Sequence, residues 1–331
     1  MRFSIRVIGG ALTAQSSIDV SVCVVTFNHA AYIARCLESV VAQLLPGRLE
    51  VLVGDDGSSD DTRAIVSRYA EAYPGIVIPV FHPQRLGPSG NYRALIASAR
   101  GRYIAHLDGD DYWLAGKLDK QCEVLERSAG VVAVLANALV VDADDEPLGF
   151  FTSNRSMSID LDYLLAGGNF LCHGSLLYRA EHRHRILDME ETFVDYRILV
   201  RLAACGSLEY VRQPFVVYRW NSAGSMRATM NGLVALNYWE AMREAYSLGA
   251  SEKAFREGAS RFLEKVFAAC LFHRRMGDAL EWVRRVRRES PVSPFRILVL
   301  ALLRLPLAFF RFIRRRNTAS KFTRVSVFYR R

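Results

Sequence analysis

The chain has 331 residues, of which 51% are hydrophobic and 23% are charged. That mixture supplies enough apolar side chains for one large domain or two smaller ones, and it excludes a disordered, collagen-like or coiled-coil protein. The net charge of +9 is concentrated near the end, because residues 274–331 carry 16 lysines and arginines against three acidic residues, whereas the rest sums to −4. We expect this basic tail to be the part that meets any anionic surface.

The N-terminal residues and the cysteines bear on where the protein resides. The short apolar run within residues 1–18 is broken by Arg6, Gly9 and Gly10, so we interpret it as an N-terminal extension and not as a secretory signal. No window of about 18 uncharged apolar residues is present, which argues against a plain membrane-spanning helix. The cysteines are scattered without metal-ligand spacing, which predicts buried reduced thiols and a cytoplasmic location; they are Cys23, Cys36, Cys122, Cys172, Cys205 and Cys270.

Strand and helix patterns alternate in the first part of the chain. Val20 to Thr26 is a β-branched run, typical of a strand covered on both faces, and apolar residues then recur at helical spacing from Ile33 to Leu44. The predicted elements that follow are a strand at 49–54, a helix opened by a Ser58–Asp61 capping box, a strand at 77–81, a helix at 91–99, a strand at 103–107 and a helix through Leu118, Cys122 and Leu125. This order predicts an α/β fold with a mostly parallel, Rossmann-like central sheet, flanking helices and ligands at the carboxyl ends of the strands.

The second part of the chain is less regular. Beyond about Val131 the strands are shorter, and we predict a helix at 196–205 and a strand at 211–218. From about Leu233 onward the sequence pattern is helical. We therefore expect a C-terminal helical extension after the sheet.

Two acidic clusters come directly after predicted strands. The first runs from Gly54 to Asp61, and the second, from Leu107 to Asp111, contains an Asp-x-Asp element. Because parallel strands end at one edge of a sheet, both clusters gather there, at an electrostatic cost that a cation offsets. Carboxylate oxygens at this spacing suit Mn²⁺ or Mg²⁺, which often share a phosphate ligand, so we predict a diphosphate substrate. For Ser58 to Asp61 the alternative of plain helix capping and turn formation stays open.

Four segments in order resemble glycosyltransferase family 2, whose members are inverting enzymes of the GT-A fold. They lie at 20–28, 55–62, 87–91 and 101–113, the last reading Gly-Arg-Tyr-Ile-Ala-His-Leu-Asp-Gly-Asp-Asp-Tyr-Trp. A fainter similarity continues through the segments 195–196, 214–219 and 222–225. Any one segment is weak, whereas four at the family's spacing are specific.

The resemblance also implies a division of the chain. After the N-terminal extension, the GT-A domain has a nucleotide-sugar-binding half and an acceptor-binding half, and a helical region and a basic amphipathic tail follow. The corresponding ranges are 1–18 for the extension, 19–128 and 129–228 for the two halves, 229–293 for the helical region and 294–331 for the tail.

The resemblance assigns a set of donor-binding residues. Thr26, Asn28 and Asp56 match positions that line the pocket for the nucleotide base, and Asp56 accepts a hydrogen bond from that base. Asn91 matches an asparagine on the helix beside the donor. Arg85 departs from the family, because relatives usually carry asparagine there.

The metal site is implied in the same way. Asp108 and Asp110 match the Asp-x-Asp element, which touches the ribose and holds Mn²⁺ or Mg²⁺ on the diphosphate, and Asp111 extends it. The metal offsets the charge that develops on the departing nucleoside diphosphate. Arg219 pairs with the donor phosphates if the loop from Asn221 to Met226 folds over the site, and otherwise it forms a surface ion pair.

Asp195 matches the catalytic general base of the family. A carboxylate on the far side of the sugar takes the proton of the acceptor hydroxyl, and displacement from that side inverts the anomeric centre. Relatives often have Glu or Gly before the base, whereas Val194 stands here. Asp195 is alternatively a carboxylate that interacts with a helix dipole, in which case Glu190 or Glu191 is the base.

Two residues are candidates for binding the acceptor. Trp113 ends the metal motif and is either the floor under the acceptor sugar or a packing aromatic. His173 lies in the region that faces the acceptor in relatives, and it is either an acceptor contact or a structural histidine.

The tail at 294–331 is basic and amphipathic. On a helix its arginines fall within one arc of roughly 100°, apolar residues cover the rest, and Pro306 kinks the helix; the arginines are Arg296, Arg304, Arg311, Arg314 and Arg315. This pattern is typical of a helix in a membrane interface with its cationic side toward anionic lipid. The alternatives are a terminal helix packed on the body and a protein-binding surface. Nucleic-acid binding is disfavoured, because no recognised module is present.

Together these features predict a metal-dependent inverting glycosyltransferase. It moves a sugar from a nucleoside-diphosphate donor to a hydroxyl of a glycan or lipid-linked acceptor, on the inner face of the cell membrane, in the biosynthesis of a surface polysaccharide such as lipopolysaccharide, capsule or exopolysaccharide. One alternative is a nucleotidyltransferase, although such folds usually have a glycine-rich basic loop where Thr26 to His29 stands. The other is a non-catalytic membrane-assembly protein, which predicts the loss of acidic residues that this chain retains.

Overall fold

One mixed β-sheet runs through the part of the chain that this computed structural model describes, residues 18–43, 48–189, 192–220, 231–318 and 326–329. The strands are β1 (Ile18–Thr26), β2 (Arg48–Asp55), β3 (Val77–Phe81), β4 (Tyr103–Asp108), β5 (Tyr112–Trp113), β6 (Val131–Val141), β7 (Pro147–Thr152), β8 (Ser158–Ile159), β9 (Leu177–Arg179), β10 (Ser207–Arg219) and β11 (Ser326–Tyr329). The main path is β11-β7-β6-β9-β4-β1-β2-β3, and β10 pairs with β5, β6 and β8. A single sheet therefore links the two predicted halves of the domain.

Helices flank the sheet and continue beyond it. They are α1 (Ile33–Val41), α2 (Thr62–Ala72), α3 (Gly87–Ser98), α4 (Lys117–Arg127), α5 (Leu161–Gly167), α6 (His184–Leu187), α7 (Asp195–Ala203), α8 (Asn231–Ser247), α9 (Glu252–Phe272), α10 (Met276–Glu289) and α11 (Pro294–Thr318). The predicted C-terminal helical extension is confirmed over α8 to α11. None of the described helices is long and apolar enough to cross a lipid bilayer.

The first half of the sheet is parallel, as predicted. Strand β1 lies between β2 and β4, and β3 lies beyond β2. Thr26 pairs with Asp55 and Val25 pairs with Asp108, so these strands end level with one another. The level ends bring the two acidic clusters to one edge of the sheet.

The second half of the sheet mixes strand directions. The short β9 is antiparallel to both β4 and β6 and lies between them, whereas β10 is parallel to β6. Tyr112 and Trp113 form β5, which we did not predict, and they pair with Val217 and Val216 of β10. Strand β10 is longer than the predicted strand at 211–218, and it ends at Arg219.

Two local predictions differ from the structure. The Ser58–Asp61 capping box does not form, because the Ser58 hydroxyl donates to Asp55 instead and α2 begins at Thr62 without a side-chain cap. The helix predicted at 91–99 begins earlier, at Gly87, with a proline in its first turn, a position that suits the fixed φ of proline.

Buried side chains cover both faces of the sheet. In β1, Val20, Val22 and Val24 face one apolar cluster and Cys23 faces the other, which explains the uninterrupted apolar run. Trp239 of α8 is fully buried in the second cluster, so the helical extension shares the core of the sheet. All six cysteines are free thiols; four are buried as predicted, whereas Cys122 and Cys205 are partly exposed.

The orientation of α11 differs from the predicted one. Ile297, Ala301 and Ala308 are buried, and Arg304 donates a hydrogen bond to the Ser260 hydroxyl of α9 at 2.7 Å. Arg304 therefore faces the body, and the predicted outward cationic arc is wrong at this position. Arg296 of the predicted arc is exposed, and the exposed positions of α11 also carry large apolar side chains: Phe295, Val299, Leu302, Leu303, Leu307 and Phe310. The side chains of Arg311, Arg314 and Arg315 lie outside the described residues.

Candidate active site

The carboxyl ends of β1, β2 and β4 form the floor of the site. The amide of Asp56 donates to the Thr26 carbonyl at 3.0 Å, and the amide of Gly109 donates to the Val25 carbonyl at 2.9 Å. A Cβ at Gly109 would lie 2.8 Å from both the Thr26 hydroxyl and the His29 ring, so a larger middle residue in the Asp-x-Asp element would require these side chains to shift. The Thr26 hydroxyl is buried with no hydrogen-bond partner among the described residues.

Asp56 anchors the segment that begins α3. Its Oδ1 accepts from the Leu86 amide at 2.6 Å, and its Oδ2 accepts from the Gly87 amide at 3.1 Å. Each carboxylate oxygen has a second lone pair, so the predicted acceptance from a nucleotide base is compatible with these bonds. Beside Asp56, the Arg85 guanidinium lies 3.8 Å from the centre of the Phe27 ring. No local sequence pattern indicates this cation–aromatic pair.

Asn28 joins the ends of β1 and β2. It has a left-handed backbone with φ 54°, a conformation that asparagine tolerates better than most residues. Its exposed side chain accepts from the Ser59 amide at 2.8 Å, and its own amide donates to the Ser58 hydroxyl at 2.8 Å. Asn28 thus shapes the loop beside the predicted base pocket.

Asn91 is fully buried at the base of α3. Its Nδ2 donates to the Gly54 carbonyl at 2.7 Å, and its Oδ1 lies 2.9 Å from the His82 ring nitrogen Nε2. Both ends of the amide therefore hold α3 against the ends of β2 and β3. The predicted donor contact of Asn91 stays a prediction.

Asp108 is the exposed carboxylate of the Asp-x-Asp element. Its side chain is 44% accessible, and its Oδ1 lies 3.2 Å from Nε2 of His106. Partial burial acts to raise the pKa of Asp108, but nearby His106, with His173 and His29, more than offsets it and holds that pKa below its ordinary value. Asp108 is therefore held as an anion facing solvent.

Asp111 points inward, and its predicted donor contact stays a prediction. It is 2% accessible, its Oδ1 accepts from the Arg219 amide at 2.8 Å, and its Oδ2 has no partner among the described residues. Burial, and then the charges of Asp110 and Asp108, raise the pKa of Asp111 well above its ordinary value. Asp111 anchors the end of β10 beneath the exposed carboxylates.

Arg219 is buried and connects the acidic motif to the turn after β6. Its Nε donates to the Asp110 carbonyl at 3.1 Å, and its Nη2 donates to Asp145 at 2.8 Å. Its Nη1 donates to the carbonyls of Asp142 and Ala143, and its guanidinium lies 4.4 Å from the centre of the Tyr32 ring. Because the guanidinium is committed to these groups, neither the phosphate pairing nor the surface ion pair expected of Arg219 describes it. The predicted covering loop at Asn221 to Met226 lies outside the described residues.

His173 belongs to an aromatic cluster next to Asp108. Its ring centre lies 4.3 Å from that of His106 and 5.9 Å from that of Tyr92. Burial, and then His106, lower the pKa of His173 well below its ordinary value, so it is neutral near pH 7. Its predicted acceptor contact stays a prediction, and the observed neighbours place it beside the histidine that contacts Asp108.

Trp113 packs in the core, which agrees with the packing alternative, and its predicted acceptor contact stays a prediction. It is buried, and its Nε1 donates to the Gly174 carbonyl at 2.9 Å. The Nζ of the fully buried Lys117 lies 3.8 Å from the centre of its ring and donates to Gln121 at 2.7 Å. Burial lowers the pKa of Lys117 to about 7.

Asp195 begins α7, half-buried, with its carboxylate held on two sides. Nδ2 of Asn169 lies 3.1 Å from each oxygen, and the Tyr196 amide donates to Oδ1 at 2.8 Å. Asp195 shares an electrostatic environment with the acidic motif, because the charges of Asp111, Asp108 and Asp195 all raise the pKa of Cys172, after its burial. The fallback bases Glu190 and Glu191 lie outside the described residues.

The donor side and the Asp195 side are tied together through α3. The Ser89 hydroxyl of α3 donates to the Phe193 carbonyl and accepts from the Phe193 amide, both at 3.1 Å. Phe193 precedes Asp195 by two residues, and the start of α3 is held by Asp56. One helix thus connects the predicted base pocket with the predicted catalytic base.

Comparisons with known proteins agree with this architecture. The family described as Glycosyl transferase family 2 matches residues 21–186. The uncharacterized protein Rv1520 of Mycobacterium tuberculosis is 28% identical over 262 residues, 72% of this chain and 74% of its own length. The succinoglycan biosynthesis protein ExoO of Rhizobium meliloti is 31% identical over 206 residues, 57% of this chain and 56% of its own length. Residues 1–349 of S. aureus TarS, in a complex with UDP-GlcNAc, superpose with a TM-score of 0.65 at 16% identity and cover 93% of both chains. This chain covers 43% of a longer TarS chain.

The superposition over 93% of the chain confirms the GT-A fold. The match of the family to residues 21–186, half of the chain, shows that the chain belongs to glycosyltransferase family 2. The protein is therefore a glycosyltransferase, related to enzymes of polysaccharide biosynthesis. The alternatives of a nucleotidyltransferase and a non-catalytic assembly protein are set aside.

Proposed function

We propose that this glycosyltransferase moves a sugar, with inversion, from a nucleoside-diphosphate donor to a hydroxyl of a glycan or lipid-linked acceptor. The observation that carries the proposal is the pair of separately held carboxylates: solvent-facing Asp108 at the end of β4, and Asp195 at the start of α7. Inverting transfer needs this separation, because one group serves the leaving diphosphate and another serves the attacking hydroxyl on the opposite face of the sugar.

The surface next to Asp56 suits a nucleotide base. The Phe27 ring and the Arg85 guanidinium supply flat surfaces for stacking, and Asp56 has lone pairs left for a base N–H. Asn28 shapes the adjoining loop. We assign the base to this surface and the diphosphate to the acidic edge of the sheet.

The acidic edge fits a divalent cation. The described residues contain no group of three or more His, Cys, Asp or Glu side chains arranged to hold a metal on their own. Two carboxylates are nevertheless enough for Mn²⁺ or Mg²⁺, which complete their shells with phosphate oxygens and water. Burial first, and then the negative charges of Asp110 and Asp108, raise the pKa of Asp111, and a bound cation would offset those charges. Asp110 and Asp108 are the proposed ligands, and the bound ion stabilises charge on the leaving diphosphate.

The transfer step is assigned to Asp195. Its carboxylate accepts the proton of the acceptor hydroxyl as the hydroxyl oxygen bonds to the anomeric carbon. The bond from that carbon to the diphosphate oxygen breaks, and the electron pair leaves with the nucleoside diphosphate. Because bond formation and cleavage occur on opposite faces, the anomeric configuration inverts. General-base assistance of this kind contributes about 10²–10⁴-fold to the rate.

The outward face of α11 supports a location on an anionic membrane. Phe295 is 74% accessible and Leu303 is 73% accessible, and four more apolar side chains of this helix are exposed. Basic residues follow directly in the sequence, at 311 and 314–316. An exposed apolar face with adjoining basic residues is typical of a helix that lies in the membrane interface. This favours a lipid-linked acceptor at the inner face of the cell membrane, in polysaccharide biosynthesis.

The proposed donor is tested by thermal unfolding with UDP-, GDP- and dTDP-sugars, each with and without Mn²⁺ or Mg²⁺. A ligand that binds the native state raises Tm by mass action. We expect the sugars of one nucleotide class to raise Tm. In the protein with native Asp110, we expect this rise only when Mn²⁺ or Mg²⁺ is present. A rise of equal size without metal would refute the metal assignment, and no rise with any nucleotide sugar, CMP-sugars included, would refute the donor assignment.

A further inference from the structure

An amide from another part of the chain spans both oxygens of Asp195. Nδ2 of Asn169 lies 3.1 Å from Oδ1 and 3.1 Å from Oδ2, and it also lies 2.7 Å from the Tyr238 hydroxyl oxygen. Asn169 follows α5, and the turn between them contains Gly168 at φ 72°, a left-handed conformation that glycine adopts without strain. Three separate segments therefore meet at the Asn169 amide.

Chemistry fixes which way the Asn169 amide points. An ionised carboxylate only accepts hydrogen bonds, so the nitrogen of the amide, and not its oxygen, has to face Asp195. One N–H is shared between the two carboxylate oxygens, and the second N–H points to the Tyr238 oxygen. This arrangement opposes rotation of the carboxylate about its last side-chain bond.

Tyr238 is itself held in place. Its ring stacks on that of Tyr196, with centres 5.3 Å apart and planes 22° apart, and Tyr196 is fully buried. The backbone amide of the same Tyr196 donates to Oδ1 of Asp195. The contacts thus form a closed ring from Asp195 to Asn169, Tyr238, Tyr196 and back to Asp195.

We propose that Asn169 is a positioning residue for Asp195 and that Tyr238, from the helical extension, holds Asn169 in place. The inference rests on the proposed role of Asp195 as general base. A base acts only when its lone pair is aimed at the proton that it removes, and groups that lock its orientation support the rate without contacting substrate. Hydrogen bonds to the ionised form also keep the base ready at lower pH.

The test compares variants in which the orientation of the carboxylate is changed. In Asn169→Ala we expect kcat to fall about 10–100-fold, as for lost supporting groups at other sites, with the donor KM unchanged. The acid limb of the pH–kcat profile should move to higher pH, because the carboxylate loses a donor. In Asn169→Asp this limb should move further, because a second anion next to Asp195 disfavours its ionisation. The rate is read as nucleoside-diphosphate release from the UDP-, GDP- or dTDP-sugar that raises Tm most.

A matched pair of tyrosine variants separates positioning from general packing. The Tyr163 hydroxyl donates to Oδ1 of Asn154 at 2.9 Å, away from any site carboxylate. We expect Tyr238→Phe to lower kcat and shift the acid limb in the same direction as Asn169→Ala, and Tyr163→Phe to leave both unchanged. Tyr238→Phe removes one oxygen, so it carries the test if Asn169→Ala fails to fold.

The outcomes distinguish the inference from the function on which it rests. If Asp195→Asn is inactive while Asn169→Ala and Tyr238→Phe retain the native kcat and pH profile, the positioning role is refuted and the base assignment stands. If Asp195→Asn turns over at the native rate, the base assignment is refuted, and the positioning role with it. Loss of thermal stability in the Asn169 variants with an unmoved pH profile also refutes positioning, because it indicates a purely structural amide.

Discussion

The backbone amide of Arg219 donates to the buried carboxylate of Asp111 at 2.8 Å, while the guanidinium of the same residue turns back to the carbonyl of Asp110. The end of β10 therefore holds the acidic motif through a backbone bond to Asp111 and a side-chain bond to Asp110. It leaves Asp108 facing solvent, with its side chain 44% accessible. Within the four residues from Asp108 to Asp111, one carboxylate therefore faces solvent and another is buried.

Removal of the proposed metal ligand should abolish transfer without unfolding the protein. In Asp110→Ala we expect turnover to fall by at least about 10²-fold, the loss typical of one missing group that stabilises transition-state charge. Thermal unfolding without ligand should be nearly unchanged. The measurement is turnover over a Mn²⁺ titration, with Asp144→Ala, at an exposed position in the turn after β6, as the control. Native metal-dependent turnover in Asp110→Ala would contradict the assignment.

The base variant should separate chemistry from binding. Asp195→Asn keeps the shape of the side chain but cannot accept the acceptor proton, so we expect kcat to fall about 10²–10⁴-fold. Donor affinity, measured by the thermal shift, should stay close to native. A variant that loses donor affinity and keeps kcat would contradict a role in the transfer step.

The hydrogen bonds of Arg219 should contribute to the free energy of unfolding and to donor binding. Lysine keeps the charge of Arg219 but lacks the planar set of donors, so Arg219→Lys leaves buried carbonyls unpaired. We expect a loss of about 3 kcal/mol in the free energy of unfolding, as when a buried charged network is broken, together with a raised donor KM. The control is Arg212→Lys, an exposed position on the same strand. Equal effects in both variants would show that the buried contacts of Arg219 are not the cause of the change.

Lys117 should make stability depend on pH in a defined direction. Its folded pKa of about 7 lies below its ordinary value, so between these values the unfolded chain binds a proton that the folded chain does not. The cost of burying the charge is fully present below pH 7, and stability rises as that cost is removed at higher pH.

We expect Lys117→Met to be more stable than the native chain at pH 6. This advantage should shrink by about 1.4 kcal/mol per pH unit between pH 7 and 10. Urea unfolding of both chains at several pH values checks this, with Lys120→Met, at a partly exposed position on the same helix, as the control. A pH-independent difference for Lys117→Met would contradict the lowered pKa.

The outward face of α11 should govern membrane binding. A charge at Leu303 or Phe310 prevents burial of a large side chain worth about 1.5–3 kcal/mol, so we expect Leu303→Glu and Phe310→Glu each to weaken binding to anionic vesicles about tenfold. Sedimentation with vesicles that contain phosphatidylglycerol measures this. Met157→Glu, at an exposed apolar position on the segment before β8, is the control. Equal binding by all variants would refute the membrane-facing role of α11.

The fold of the first half was predictable because its signals are local. Each strand of that half is a short apolar run, and its acidic residues follow within a few positions, so the alternation alone places them at one edge. The burial of Trp113 was not predictable, because it depends on the pairing of β5 with β10, about a hundred residues later in the chain.

Contacts between distant residues account for what the sequence analysis missed at the site. The Arg219 guanidinium bonds to groups 74–109 positions earlier, and Tyr238 reaches Asn169 across 69 positions. Neither residue stands in a local pattern that indicates such a bond. The orientation of α11 was missed for a related reason. Helical periodicity shows which residues share a face of a helix, whereas the packing of α11 on α9 decides which face is buried.

The bond between Ser89 and Phe193 has a consequence for engineering specificity. Exchanging the acceptor half with that of a relative is an obvious route to a new product, but a junction near residue 128 separates Ser89 from the segment that it holds. A chimera that imports residues 129–228 alone would therefore carry the proposed base, Asp195, on a segment held by a helix of the other protein. Transplanting α3 together with the acceptor half keeps that contact native, so the exchangeable unit is discontinuous in the sequence.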